Sequence, residues 1–138
     1  MAPLRHSNLV NMVGASWKDG PDKLCLVLEF CSLGSVNDLF KAAEYTWATA
    51  YYGIALGTAR CFRYLHHEQP NGRALLHRDL KSDNVLVSDD LSPKVADFGE
   101  SRQYDAAEDD DETMTLCGTP MPVCPHVIIY CQLARKSQ

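Results

Sequence analysis

Asp79, Lys81 and Asn84 place a carboxylate, an ammonium and a carboxamide within one eight-residue run, His77-Arg78-Asp79-Leu80-Lys81-Ser82-Asp83-Asn84. Asp97 follows thirteen residues after Asn84, at the head of Asp97-Phe98-Gly99. Hard oxygen donors such as Asn84 and Asp97 suit Mg2+, which takes few protein ligands and keeps the rest of its shell from phosphate and water. Asp79 supplies a carboxylate that can orient a hydroxyl. Transfer of a phosphoryl group needs those parts and little covalent help from a protein.

For that chemistry Asn84 and Asp97 must meet. Residues 85–87 and 94–96 read as two short strands around an Asp89-Asp90 turn, and such a hairpin brings both to the same end. Residues 9–17 and 24–30 are apolar runs separated by Lys18-Asp19-Gly20-Pro21-Asp22, whose Asp-Gly-Pro marks a turn, so a second antiparallel hairpin is expected. Ser35 with Asp38 three residues on is an N-cap signature for a short helix over 36–40. Residues 46–67 predict a long helix, with Tyr51, Ala55, Thr58/Ala59, Phe62 and Leu65/His66 as its inner stripe. Pro70-Asn71-Gly72 ends it, and Leu75-Leu76 leads into the His77 run. Residues 100–117 are polar, with five acids in a row at 108–112, and read as a solvated loop. The pattern is α+β.

Composition narrows the partners. The chain has 138 residues, with 13 basic against 18 acidic and a net charge of −5. Without a Lys/Arg cluster, neither nucleic acid nor an anionic membrane is expected as the main partner. Residues 1–6 form no apolar leader. The longest uncharged stretch of the body, 45–59, is too short and too rich in Thr, Gly and Tyr to span a bilayer. A soluble, cytoplasmic chain is expected. The six cysteines, Cys25, Cys31, Cys61, Cys117, Cys124 and Cys131, form no Cys-x-x-Cys, and no His stands at finger-like spacing. Free, mostly buried thiols are expected.

The two motifs, H-R-D-L-K-x-x-N and D-F-G in this order and spacing, resemble the catalytic signature of eukaryotic protein kinases. Further segments are similar: Arg5-His6-Ser7-Asn8-Leu9-Val10 before the fourth strand, and Tyr64-Leu65-His66 at the end of the long helix of the larger lobe. The resemblance implies a kinase-like fold, here incomplete: a small-lobe hairpin, a hinge, the long helix, the catalytic loop and a β-hairpin. It implies ATP and Mg2+ as cofactors and a protein Ser/Thr hydroxyl as acceptor. In the family's terms Asp79 is the base that takes the hydroxyl proton, Lys81 contacts the γ-phosphate, and Asn84 and Asp97 hold the metal. Leu28 matches the gatekeeper, Glu29-Phe30-Cys31 the hinge, and Leu86 the floor of the adenine pocket. Phe98 is expected to pack in the core and set the pose of Asp97, while Gly99 lets the backbone turn. Lys81 and Thr119 point to the serine/threonine type, and the His77–Ser82 run to the tyrosine-kinase-like group.

Regulation by the same resemblance falls on His77 and Arg78 in the catalytic loop, with Thr113 and Thr115 as sites of phosphorylation. The 108–112 acids read as a solvated loop; the alternative is that they stand in for phosphate at Arg78.

The similarity covers about residues 4–127, roughly half of such a domain, with a divergent tail at 128–138. No G-x-G-x-x-G and no V-A-I-K lysine precede Leu28, and Cys124-Pro125-His126 stands where A-P-E is expected. The isolated chain is therefore expected to be weakly stable and inactive. Two other readings compete: a non-catalytic kinase-like interaction module, and a small-molecule phosphotransferase. The full H-R-D-L-K-x-x-N weighs against the latter.

Overall fold

The computed structural model describes residues 4–17, 23–69 and 72–104. Their order is β1 (Met12–Ser16), β2 (Cys25–Leu28), α1 (Val36–Ala42), a π-helical turn (Trp47–Tyr51), α2 (Tyr52–His67), β3 (Ala74–Leu76), a 3-10 turn (Ser82–Asn84), β4 (Val85–Val87), β5 (Pro93–Val95) and β6 (Arg102–Tyr104). The strands pair as three separate two-stranded antiparallel ladders, β1–β2, β3–β6 and β4–β5.

Local chemistry explains the helix starts. Ser35 caps α1: its Oγ accepts from Asp38 N at 3.2 Å, and Asp38 Oδ2 accepts from Ser35 N at 2.9 Å. Two amides without helical partners are thereby satisfied at once. Thr46 and Thr49 repeat the device before α2. There the first turn is π-helical and continues into Tyr52–His67, so the long element predicted over 46–67 is present with an irregular start.

The buried stripe of this helix differs from the expected one. Ala50, Ile54, Gly57, Cys61 and Leu65 face inward, whereas Ala55 and Ala59 are exposed. The rotation follows from contact with β5. A methyl group at Gly57 would lie 2.5 Å from Pro93 Cγ, so the helix approaches the strand at a residue that has no side chain. Glycine, alanine and cysteine carry little apolar signal, and the larger Tyr51 and Phe62 drew the predicted stripe one position off.

Two apolar clusters flank that crossing. Val36, Leu39, Ala50, Ile54, Val85 and Val87 form one, and Leu9, Cys61, Leu65 and Val95 the other, with Phe62, Leu75 and Phe98 packed on it. The 5–10 segment is stitched to the second. Asn8 Nδ2 donates to Pro93 O at 3.0 Å, Val95 N donates to Asn8 O at 2.8 Å, and Val10 N to Val95 O at 2.9 Å. His6 stacks on Tyr64 with centroids 5.1 Å apart.

The β1–β2 ladder carries a register irregularity between Met12 and Gly14, and most of its residues are exposed on both faces. Its intervening turn lies outside the described residues, as do the cysteines beyond Cys61. Cys25 is an exposed free thiol; Cys31 and Cys61 are buried free thiols. Residues 100–104 correct the loop expected over 100–117 at its start. Arg102–Tyr104 pairs with Ala74–Leu76, a ladder that neither three-residue run announces by itself. The acidic run 108–112 lies outside the described residues.

Candidate active site

β3 delivers the chain into the 77–81 loop, and the loop is tied inward by a histidine. His77 is 2% exposed. Its Nε2 donates to Ala96 O at 2.9 Å, because a carbonyl can only accept, and its Nδ1 accepts from Asp79 N at 3.3 Å. The ring centroid is 4.8 Å from that of Phe98 and 5.9 Å from that of Phe62. One side chain thus holds the backbone on both sides of the candidate site.

Two residues there adopt left-handed backbone conformations. Arg78 has φ +71° and Asp97 has φ +59°. For residues with a Cβ this costs about 1–2 kcal/mol each, and such strain tends to persist where surrounding structure holds a functional geometry. Arg78 reverses the chain between inward His77 and Asp79. The chain turns at Gly99, as expected: residues 99–100 form a turn closed by Ser101 N donating to Phe98 O at 3.0 Å, although the left-handed φ lies at Asp97 and not at the glycine. Gly99 also permits close approach. Its N–H donates to Asp97 Oδ1 at 3.3 Å, and a methyl group there would sit 3.2 Å from the same oxygen.

Asp79, Lys81 and Asn84 converge. Asp79 Oδ2 accepts from Lys81 Nζ at 2.8 Å and from Asn84 Nδ2 at 2.9 Å, and the Asn84 amide nitrogen also donates to Asp79 O at 2.9 Å. Both of those contacts are to oxygens that only accept, so the orientation of the Asn84 amide is settled and only its oxygen is left to present elsewhere. Asn84 is itself buried. Its backbone carbonyl accepts from Ala96 N at 2.9 Å, which brings the end of β5, and Asp97 next to it, alongside. The hairpin behaves as predicted here, although β5 runs one residue earlier than expected, over Pro93–Val95.

Asp97 is exposed and lies close enough to bear on Lys81. The hydrogen bond to Asp79, and then the charges of Asp79, Asp97 and Asp83, outweigh desolvation and hold the Lys81 ammonium above the ordinary lysine value. Lys81 therefore stays protonated through the neutral range.

The second group of predicted residues runs along β4. Leu33 N donates to Val87 O at 3.1 Å, Val87 N donates to Gly34 O at 2.8 Å, and Ser35 bridges to Leu86. This zipper sets the chain after Cys31 beside half-buried Leu86. Leu28 is 49% and Phe30 89% exposed, while Cys31 is buried. Burial first, then the Glu29 charge, raises the Cys31 thiol pKa. Glu29 binds Lys94 with both oxygens, at 3.2 and 3.1 Å, and accepts from Asn11 N at 2.6 Å.

Sequence reasoning missed two cross-chain links of this site. Lys94–Glu29 spans 65 residues and Asn37–Asp83 spans 46, and no local spacing signals either. Thr113, Thr115 and Thr119 lie outside the described residues, as do Gly118 and the 124–126 segment.

With this geometry in place, comparison with known proteins is decisive for the family. Residues 1–138 match the sequence model of the protein kinase domain, and the chain belongs to that family. It is 36% identical over 141 residues to cysteine-rich receptor-like protein kinase 19 of Arabidopsis thaliana, covering 99% of this chain and 21% of the relative. It is 34% identical over 138 residues to a G-type lectin S-receptor-like serine/threonine-protein kinase of the same plant, covering 97% and 16%. A serine/threonine-protein kinase/receptor of Acanthamoeba polyphaga mimivirus is 36% identical over 142 residues, covering 97% and 8%. The chain thus spans about a fifth or less of the length of these relatives.

Among the described residues no cluster of three or more His, Cys, Asp or Glu side chains could hold a metal. Asn84 and Asp97 offer an amide oxygen and a carboxylate, donor types that Mg2+ accepts when phosphate and water complete its shell. No helix among the described residues is long and apolar enough to cross a membrane.

Proposed function

We propose that this chain carries the catalytic loop and metal-binding residues of an ATP-dependent protein serine/threonine kinase. The observation that carries the reading is the convergence of Asp79, Lys81 and Asn84, with Asp97 brought alongside by the Asn84–Ala96 bond. Asp79 orients the acceptor hydroxyl and takes its proton at a carboxylate oxygen. Its pose is held by two donors on Oδ2, which leaves little freedom to misplace the hydroxyl. Lys81, kept cationic by its carboxylate neighbours, neutralises charge on the transferring group. Asn84 and Asp97 would hold Mg2+, which neutralises phosphate charge when bound. The backbone of 29–31 with Leu86 below would take the adenine. Arg78 would bind phosphate on Thr113 or Thr115, the proposed phosphosites. A cytoplasmic location, where ATP is available, is part of the same proposal.

The test is a thermal melt of the 138-residue chain with Mg-ATP. Binding to the folded state alone raises the midpoint with ligand concentration. A rise that vanishes with EDTA and in Asp97→Asn is expected. A midpoint unmoved by Mg-ATP would sink the reading and favour a non-catalytic interaction role.

A further inference from the structure

One side-chain contact reaches the Ser82–Asn84 turn from a different element. Asn37 Nδ2 donates to Asp83 Oδ1 at 2.8 Å. The direction follows from chemistry, since a carboxylate only accepts. Asn37 stands on well-held ground: it is the second residue of α1, inside the Ser35–Asp38 capping box, between Val36 and Leu39, which are both buried. Asp83 does not. It is the middle residue of a three-residue 3-10 turn, whose hydrogen bond from Asn84 N to Lys81 O measures 3.1 Å. Such short turns have poor hydrogen-bond geometry and gain much of their definition from outside.

The contact also continues a pattern. Leu33 and Gly34 bond Val87, Ser35 bridges Leu86, and Asn37 bonds Asp83, in antiparallel order. The last link carries this zipper past the end of β4 and onto the residue just before Asn84. Resting on the function proposed above, we infer that Asn37 and Asp83 are a positioning pair for the Asn84 amide oxygen. They brace the turn so that Asn84 is presented to the metal while its nitrogen stays on Asp79. Neither residue touches the reacting groups. The brace also makes the 31–35 segment and the metal ligand parts of one strip.

The probe is Mn2+ with a non-hydrolysable ATP analogue, titrated into the full chain and read by water-proton relaxation, with melting midpoints recorded alongside. Asn37→Ala leaves all charges unchanged and removes only the brace. It should weaken apparent Mn2+ affinity by about threefold to tenfold, the range in which one net hydrogen bond acts. Asp83→Ala should do at least as much. The exchanged double variant, Asn37→Asp with Asp83→Asn, restores an amide-to-carboxylate bond in the opposite sense and should recover affinity to within about twofold. If Asn37→Ala lowers the midpoint but leaves Mn2+ affinity unchanged, the pair is only a structural link and the inference is wrong. Failure of the exchanged pair to recover would overturn it as well. If instead Asn84→Ala binds Mn2+ as tightly as the parent chain, or the parent binds none, the metal site itself falls, and the inference falls with it.

Discussion

Two glycines of α2 offer a controlled test of the packing that places the site. Gly53 and Gly57 lie on the same helix, one turn apart, and both sacrifice helix propensity. Replacing a glycine inside a helix by alanine gains about 0.5–1 kcal/mol from backbone entropy, and both substitutions share that gain. Their surroundings differ. Nothing lies within 4 Å of a methyl group at Gly53, whereas one at Gly57 would meet Pro93 Cγ at 2.5 Å, Pro93 Cδ at 3.0 Å and Asn8 Nδ2 at 3.0 Å. Pro93 is poorly able to yield. It is paired with Val87, its carbonyl accepts from Asn8, and its ring is rigid. Relief of a clash of this kind in a packed interior costs about 1–3 kcal/mol. The clash therefore exceeds the propensity gain over most of that range. Gly53→Ala should stabilise, and Gly57→Ala should destabilise, with a gap between them of about 1–3 kcal/mol. Urea unfolding followed by circular dichroism, on both variants at one temperature, measures the gap directly. Equal stabilisation by the two substitutions would refute the close crossing of α2 over β5. That crossing is what holds the strand leading into Asp97.

Other outcomes follow from the capping and thiol chemistry. Ser35→Ala should cost about 1 kcal/mol at neutral pH, as loss of an N-cap does, measured by the same unfolding assay. Hydrogen bonds from the Ser35 side chain, then its backbone, hold the Asp38 carboxyl below its ordinary value of 3.8. A depressed carboxyl stabilises the fold above that ordinary value and stops doing so as pH falls through its lowered one. The gap between parent and Ser35→Ala should thus be constant from pH 7 to 5 and shrink below about 3.8; a gap that widens on acidification would contradict the capping box. Burial pushes the Cys61 thiol up to about 12. In the native chain at pH 8, iodoacetamide followed by peptide mass mapping should label exposed Cys25 and spare Cys61, which becomes reactive only in denaturant. Labelling of Cys61 at the rate of Cys25 would show that the helix does not bury it.

Much of the site was legible because its parts are close in the chain. Asp79, Lys81 and Asn84 lie within a few residues, and a loop that short allows few arrangements of them. The β4–β5 hairpin was readable from two short strand-like triplets around an Asp-rich turn, and the α1 start from Ser35 and Asp38, since a capping box is complete within four residues. The inner face of α2 was not. Its register depends on a strand more than thirty residues away, and the residue that admits the strand, Gly57, is recognisable only by what it lacks. The turn at Gly99 was legible, but the left-handed residue beside it was not: glycine permits that conformation without demanding it, and here Asp97 takes it.

Residue order alone therefore determined the inventory of the site, its family, and each element whose hydrogen bonds close within a few residues. Tertiary structure alone decided which way α2 faces, that residues 74–76 pair with 102–104, that Glu29 answers Lys94, and that Asn37 reaches Asp83. Local patterns report energies settled within one or two turns of chain. These other contacts are chosen by shape and charge between segments that sequence separation leaves independent until the chain has folded.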